Sequence, residues 1–192
     1  MTRSEAVRHF GFIPDRSVIT ITGGSQGSRA LNRIVLASLD YLLSTVGAQI
    51  IWQTGSAHYD EIRDVASTRP GVRLFPFIDE MGAAYMAADL VVSRAGALTL
   101  AEIVYCGKPS LLIPFPGAAA DHQATNARSL EDAGAAVILR ERDLTQDRFV
   151  RTVERILLDR DRLTQMGGAT RSLAMPNPEA QISKGILSLV SP

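Results

Sequence analysis

Short apolar runs recur along this chain, and a stretch with helical spacing follows most of them. Val18-Ile19-Thr20-Ile21 marks a first strand over 17–22. Leu31, Ile34, Val35, Leu39 and Leu42 then fall on one face of a helix over 28–43. Strands are predicted over 48–53, 72–75, 90–93, 110–113 and 136–139. Helices are predicted over 57–67, 81–87, 98–106 and 123–133, with a short one over 3–10 ahead of the first strand. From Gln146 the pattern stays helical to the end, with breaks expected at Gly167-Gly168 and Pro176-Asn177-Pro178. The strands are continuous apolar runs rather than in–out alternations, so both faces of their sheet are covered. The predicted fold is a single α/β domain over 1–192, a doubly wound, Rossmann-like six-stranded parallel sheet.

Composition narrows the class. Of 192 residues, 46% are hydrophobic and 21% charged, the balance of a globular domain able to bury its own core. Formal net charge is zero, which argues against a broad nucleic-acid face. The single cysteine, Cys106, cannot close an internal disulfide, and its apolar helical setting reads as packing. The first ten residues carry no apolar core of a secretory signal, and no run reaches the length of a membrane span. The expectation is a cytoplasmic protein.

Two glycine-rich turns hold the chemistry. Gly23-Gly24-Ser25-Gln26-Gly27 follows the first strand, and Ser93-Arg94-Ala95-Gly96-Ala97-Leu98-Thr99 follows the fourth. Glycine lets main chain approach a ligand, and a helix start offers unpaired N–H groups and the positive end of a dipole. One such turn reads as a tight connection. Two at strand carboxyl ends in one sheet read as a site for a phosphorylated ligand. The first turn spells neither G-x-G-x-x-G nor a P-loop, and the second strand ends in Trp52-Gln53-Thr54 rather than the carboxylate of a dinucleotide fold.

Three further groups admit two readings each. Thr99-Leu100-Ala101-Glu102 has the spacing of a capping box, or Glu102 accepts hydrogen bonds from sugar hydroxyls. Arg94 pairs with phosphate or is a solvated charge. Asp121, at the end of the long turn that starts at Pro114, caps the next helix or joins His122 and Gln123 in reading sugar hydroxyls. No metal-ligand cluster and no Ser/His/Asp arrangement is legible.

Four segments in order resemble one family: 23–32, Phe77-Ile78-Asp79-Glu80-Met81, 93–102, and Pro114-Phe115-Pro116 with 121–127. They are similar to the C-terminal half of the MurG family of bacterial transferases, in glycosyltransferase family 28 of the GT-B superfamily. That family moves N-acetylglucosamine from UDP-GlcNAc onto lipid I, giving lipid II for peptidoglycan. The resemblance implies the donor-binding half of a two-domain enzyme, peripheral at the inner face of the plasma membrane. Its N-terminal acceptor domain and catalytic base are not in this sequence. UDP-GlcNAc is the implied donor substrate, with no metal and no cofactor.

The resemblance also implies roles. The backbone of Ile78 pairs with uracil, and Glu102 holds the ribose. Gly24, Ser25, Gln26 and Gly27 lie against the pyrophosphate. The segment Arg94, Gly96, Ala97, Leu98, Thr99, Leu100 and Ala101 lines the site, with the amides of 97–99 stabilising the departing UDP. Gln123, with Asp121, reads GlcNAc. On this reading the chain alone binds donor weakly and transfers nothing. Two alternatives are a subunit of a two-chain UDP-sugar transferase and a non-catalytic sugar-nucleotide-binding module.

Overall fold

The computed structural model describes residues 1–118, 121–175, 183 and 186–188. The strands are β1 (Val18–Thr22), β2 (Gln49–Gln53), β3 (Val72–Phe75), β4 (Leu90–Ser93), β5 (Ser110–Leu112) and β6 (Ala136–Ile138). The helices are α1 (Arg3–His9), α2 (Arg29–Ser44), α3 (Ser56–Ala66), α4 (Met81–Ala87), α5 (Ala97–Tyr105), α6 (His122–Asp132), α7 (Gln146–Leu157) and α8 (Arg160–Ser172). All strand pairings are parallel, in the order β3-β2-β1-β4-β5-β6. The chain builds outward from β1 through β2 to β3, then returns to place β4 on the other side of β1. The topological switch point therefore lies between β1 and β4, where Thr22 and Ser93 are register partners.

Both faces of the sheet are buried, which is why its strands read as unbroken apolar runs. Side chains still alternate. Ile19, Ile21, Ile50, Trp52 and Val92 pack beneath α2, α3 and α7. Val18 and Ile51 point the other way, against α1 and α4, while Val91 and Leu112 pack against α5 and α6. Arg3 on α1 holds both oxygens of Asp89, whose Oδ2 also accepts the Val18 N–H at 2.8 Å.

One expected break is misplaced. The helical chain after 146 divides at Leu158–Asp159, where Asp159 accepts the Arg162 N–H at 2.9 Å as the N-cap of α8. Helix α8 runs on through Gly167-Gly168. A Cβ on Gly167 would stand 3.4 Å from the Gly107 carbonyl, an ordinary contact, and one on Gly168 would meet open space. The other expected break, at Pro176-Asn177-Pro178, lies outside the described residues. A 3₁₀ turn at Glu141–Asp143 was not foreseen.

Candidate functional site

The turn after β1 is built by close packing. Gly27 has φ 75° and Gly55, at the start of α3, has φ 81°. A Cβ on Gly27 would overlap the Thr54 carbonyl, and one on Gly55 would overlap that of Gln26. The two turns thus press main chain on main chain. Gly24 also has positive φ, 84°, but nothing lies within 4 Å of its would-be Cβ. Its open side is free for a ligand.

Local hydrogen bonds decide which amides are available. The Gly24 N–H donates to Thr22 Oγ1 at 3.1 Å, and the Gly27 N–H to the Gly24 carbonyl at 2.9 Å. Those two glycines cannot offer their N–H groups to an anion without giving up these bonds. The amides of Ser25 and Gln26 have no acceptor among the described residues, and neither do those of Arg29 and Ala30 in the first turn of α2. Ser28 caps that helix by accepting from the Leu31 N–H. Anion-binding capacity therefore extends further along the chain than the glycine pattern suggested, into the helix start itself.

The second turn is simpler. Gly96 is the N-cap of α5 and has no side chain to cap with, so the amides of Ala97, Leu98 and Thr99 stay open. The capping-box reading of Thr99 and Glu102 is ruled out, because Thr99 sits inside the first turn rather than at its cap. Helix α6 clamps the approach to this turn. Gln123 Oε1 accepts from the N–H groups of Ala95 (3.2 Å) and Phe115 (3.0 Å), and Asn126 reaches the Ala95 carbonyl. Two main-chain donors fix the oxygen of the Gln123 amide, so its NH₂ end is left to serve a ligand.

Arg94 matches neither sequence reading. It is buried, 8% exposed, with Nη1 on the carbonyls of Ile113 (3.0 Å) and Pro114 (3.2 Å). Its Nη2 forms an ion pair with Glu141 Oε2 at 2.5 Å, a contact not aligned as a hydrogen bond. Phe115 covers the guanidinium. The arginine fastens the loop after β5 and the 3₁₀ turn to the second glycine turn, and its charge is already balanced. Arg94 still lines the cleft, together with Phe115 from the Pro114-Phe115-Pro116 motif and with Glu141, which the sequence reading did not single out.

The two glycine turns meet in one cleft of about 440 Å³. Gly24, Gly27, Arg29 and Ala30 form one wall, Gly96 and Thr99 another, and Gln123 stands at the far side. Ser25 and Gln26 are exposed at the tip of the first turn, as are Ala97, Leu98 and Ala101 on α5, while the Leu100 side chain belongs to the core. Asp121 is not in this cleft. It faces an adjoining hollow of about 570 Å³ beyond Phe115. Its backbone is left-handed, φ 52°, and its side chain makes no capping bond, so the capping alternative is not realised. The larger hollow is the more enclosed of the two, but Arg29, Ala30 and Thr99, whose helix-start amides are open, line the smaller cleft, where an anion would be met.

Glu102 and Ile78 do not line the cavity shared by the two turns. Glu102 Oε2 accepts from the Tyr85 hydroxyl at 3.0 Å, which leaves its other oxygen unengaged. Burial pushes the Tyr85 phenol well above its ordinary range, and the charge and hydrogen bond of Glu102 push the same way. A raised folded-state pKa means the folded chain holds that proton more tightly than the unfolded chain. The resulting stability is complete below the ordinary tyrosine value of about 10 and is lost as pH rises beyond it. Tyr85→Phe should flatten the fall in urea midpoint between pH 9 and pH 11. An unchanged slope would remove Tyr85 as its source.

Ile78 is buried, and its N–H already donates to Gln53 Oε1 at 2.8 Å. Its carbonyl has no donor among the described residues. Among those residues there is no group of three or more His, Cys, Asp or Glu that could hold a metal, and no helix is long and apolar enough to cross a membrane.

Residues 18–182 match the model of the glycosyltransferase family 28 C-terminal domain. The chain belongs to this family. A relative from Salinibacter ruber is 44% identical over 94% of the chain. It is a UDP-N-acetylglucosamine–N-acetylmuramyl-(pentapeptide) pyrophosphoryl-undecaprenol N-acetylglucosamine transferase, of which the match covers 48%. A transferase of the same name from Chlorobaculum parvum is 41% identical over 97% of the chain and 51% of its own length. The crystal structure of Acinetobacter baumannii MurG superposes with a TM-score of 0.82 at 31% identity, covering 98% of this chain and 53% of that one. The family 28 domain described here thus spans about half the length of the relatives it matches.

Proposed function

We propose that this family 28 domain is the UDP-GlcNAc-binding half of an inverting N-acetylglucosaminyltransferase that converts lipid I to lipid II. The observation that carries the reading is the convergence of two uncapped or partly capped helix starts on one cleft. Between them, Ser25, Gln26, Arg29 and Ala30 on one side and Ala97, Leu98 and Thr99 on the other present main-chain N–H groups. A diphosphate is the ligand that needs donors from two directions.

The remaining roles follow from what each group has free. The Ile78 carbonyl takes the N3–H of uracil, its own amide being committed to Gln53. Glu102, held through one oxygen by Tyr85, accepts from the ribose hydroxyls. The free NH₂ of Gln123 donates to a GlcNAc hydroxyl, while Asp121 lines the adjoining hollow rather than this cleft. An acceptor hydroxyl attacks the anomeric carbon from the face opposite UDP, and its proton goes to a base in the half of the enzyme that this sequence lacks. The negative charge that builds on the departing UDP is met by amides already in place, which need no reorganisation as the bond breaks.

Calorimetric titration of the chain with UDP-GlcNAc tests this. Saturable heat in the micromolar to millimolar range is expected. A folded chain that gives no saturable heat at millimolar donor would overturn the reading. Adding the N-terminal half of a relative in trans separates transferase from sensor. Transfer is expected only with both halves present.

A further inference from the structure

The end of β2 holds a side chain that the proposed donor chemistry does not use. In dinucleotide folds this position presents a carboxylate to a ribose. Here Gln53 is turned inward and is 2% exposed. Its Oε1 accepts the Ile78 N–H at 2.8 Å. Its Nε2 donates to the Gly24 carbonyl at 3.0 Å and to Thr22 Oγ1 at 3.2 Å. The same Thr22 oxygen accepts the Gly24 N–H, and the same Gly24 carbonyl accepts the Gly27 N–H. One buried amide therefore joins the loop after β3 to the glycine turn after β1, across the intervening end of β2.

The chemistry at each end is specific. The Ile78 N–H can bond only to an acceptor, and the Gly24 carbonyl only to a donor. A primary amide offers one of each in a fixed geometry. Glutamate would set a carboxylate oxygen against the Gly24 carbonyl, and methionine would leave the buried Ile78 N–H unsatisfied while taking one of two donors each from the Gly24 carbonyl and Thr22 Oγ1. Neighbouring bonds add little redundancy. Thr54 ties its own N–H and hydroxyl to the Phe75 carbonyl, at the start of the loop, but nothing else among the described residues holds the Ile78 amide.

We infer that Gln53 is a positioning residue that links the nucleobase loop to the diphosphate turn, so that each half of the nucleotide site sets the shape of the other. This rests on the uridine-nucleotide reading above. With the link intact, Ile78 is aimed before ligand arrives and the open face of Gly24 is held toward the cleft. Without it, phosphate contacts survive in part, while the base is read by an unanchored loop. The signature is a loss of base discrimination beyond any general loss of affinity.

The test compares UDP with CDP by calorimetry on the full chain, wild type against Gln53→Met and Gln53→Glu. Wild type is expected to prefer UDP. Gln53→Met should bind UDP about tenfold to a hundredfold more weakly and lose about tenfold of its UDP-over-CDP preference. Gln53→Glu should be weaker still for both, because its charge lies beside the diphosphate turn. A folded Gln53→Met that keeps the wild-type preference overturns the inference. A wild-type chain that binds neither nucleotide, or both equally, overturns the nucleotide reading on which it rests. Amide hydrogen exchange on wild-type protein covers the case in which the variants do not fold. Inorganic pyrophosphate can touch only the phosphate turns, yet it should slow exchange of the Ile78 amide. Pyrophosphate binding with unchanged Ile78 exchange would refute the link.

Discussion

Alanine in place of Gly27 is expected to remove about 2–6 kcal/mol of folding stability. Two costs combine. The backbone at φ 75° is one that a side-chain-bearing residue adopts at about 1–3 kcal/mol. The added methyl would also overlap the Thr54 carbonyl, and relieving that overlap means prising apart two packed turns, at about 1–3 kcal/mol. Against a total of roughly 5–15 kcal/mol for a domain, the variant is marginal or unfolded. Gly24→Ala is the control. Its φ is 84°, but its Cβ would meet open space, so only the conformational cost applies. Urea midpoints followed by the fluorescence of Trp52, the single tryptophan and fully buried, separate the two. Equal midpoints for the two variants would show that the turns are not packed as described.

Glu102→Ala should weaken UDP-GlcNAc binding by about thirtyfold, or about 2 kcal/mol. A carboxylate accepting from ribose hydroxyls makes charge-assisted bonds, each worth about 1.5–3 kcal/mol before water competes for the vacated groups. Glu102 does not cap α5, so the helix loses nothing at its start, and alanine is the better helix former. The variant does strand the buried Tyr85 hydroxyl, at roughly 1–2 kcal/mol of stability. Tyr85→Phe with Glu102→Ala should restore that stability and leave the binding defect. Binding that recovers in the double variant would assign Glu102 to packing. Isothermal titration and the same urea midpoints decide between these outcomes.

Most of the sheet is legible in the sequence because burial on both faces turns each strand into a plain apolar run, and glycines or prolines punctuate the connections. What is hidden depends on partners distant in sequence. Nothing in Glu141-Arg142-Asp143 itself signals that Arg94, from the second glycine turn, pairs with Glu141. Gly167-Gly168 reads as a helix break because a glycine pair usually is one, yet α8 runs unbroken through both, with Met166 and Gly167 on its buried side. Asp159, a legible cap, is the signal that should have moved the break. At the site, the two turns and the importance of their amides could be read directly. Which amides stay open could not, since the Thr22 hydroxyl and the buried amide of Gln53 take part in that choice.

Helix α1 bears on where this domain can be trimmed. The family match begins at residue 18, the first residue of β1. Yet Ala6, Val7, Phe10 and Phe12 are buried against Val18, Ile51, Ala84 and Ala87, and Arg3 is the cation that neutralises Asp89. A truncation at the family boundary would strip this cover, exposing a greasy strip along one side of the sheet and a carboxylate without its counter-ion. Shortened versions made for crystallography or screening should therefore retain the segment from Thr2 onward.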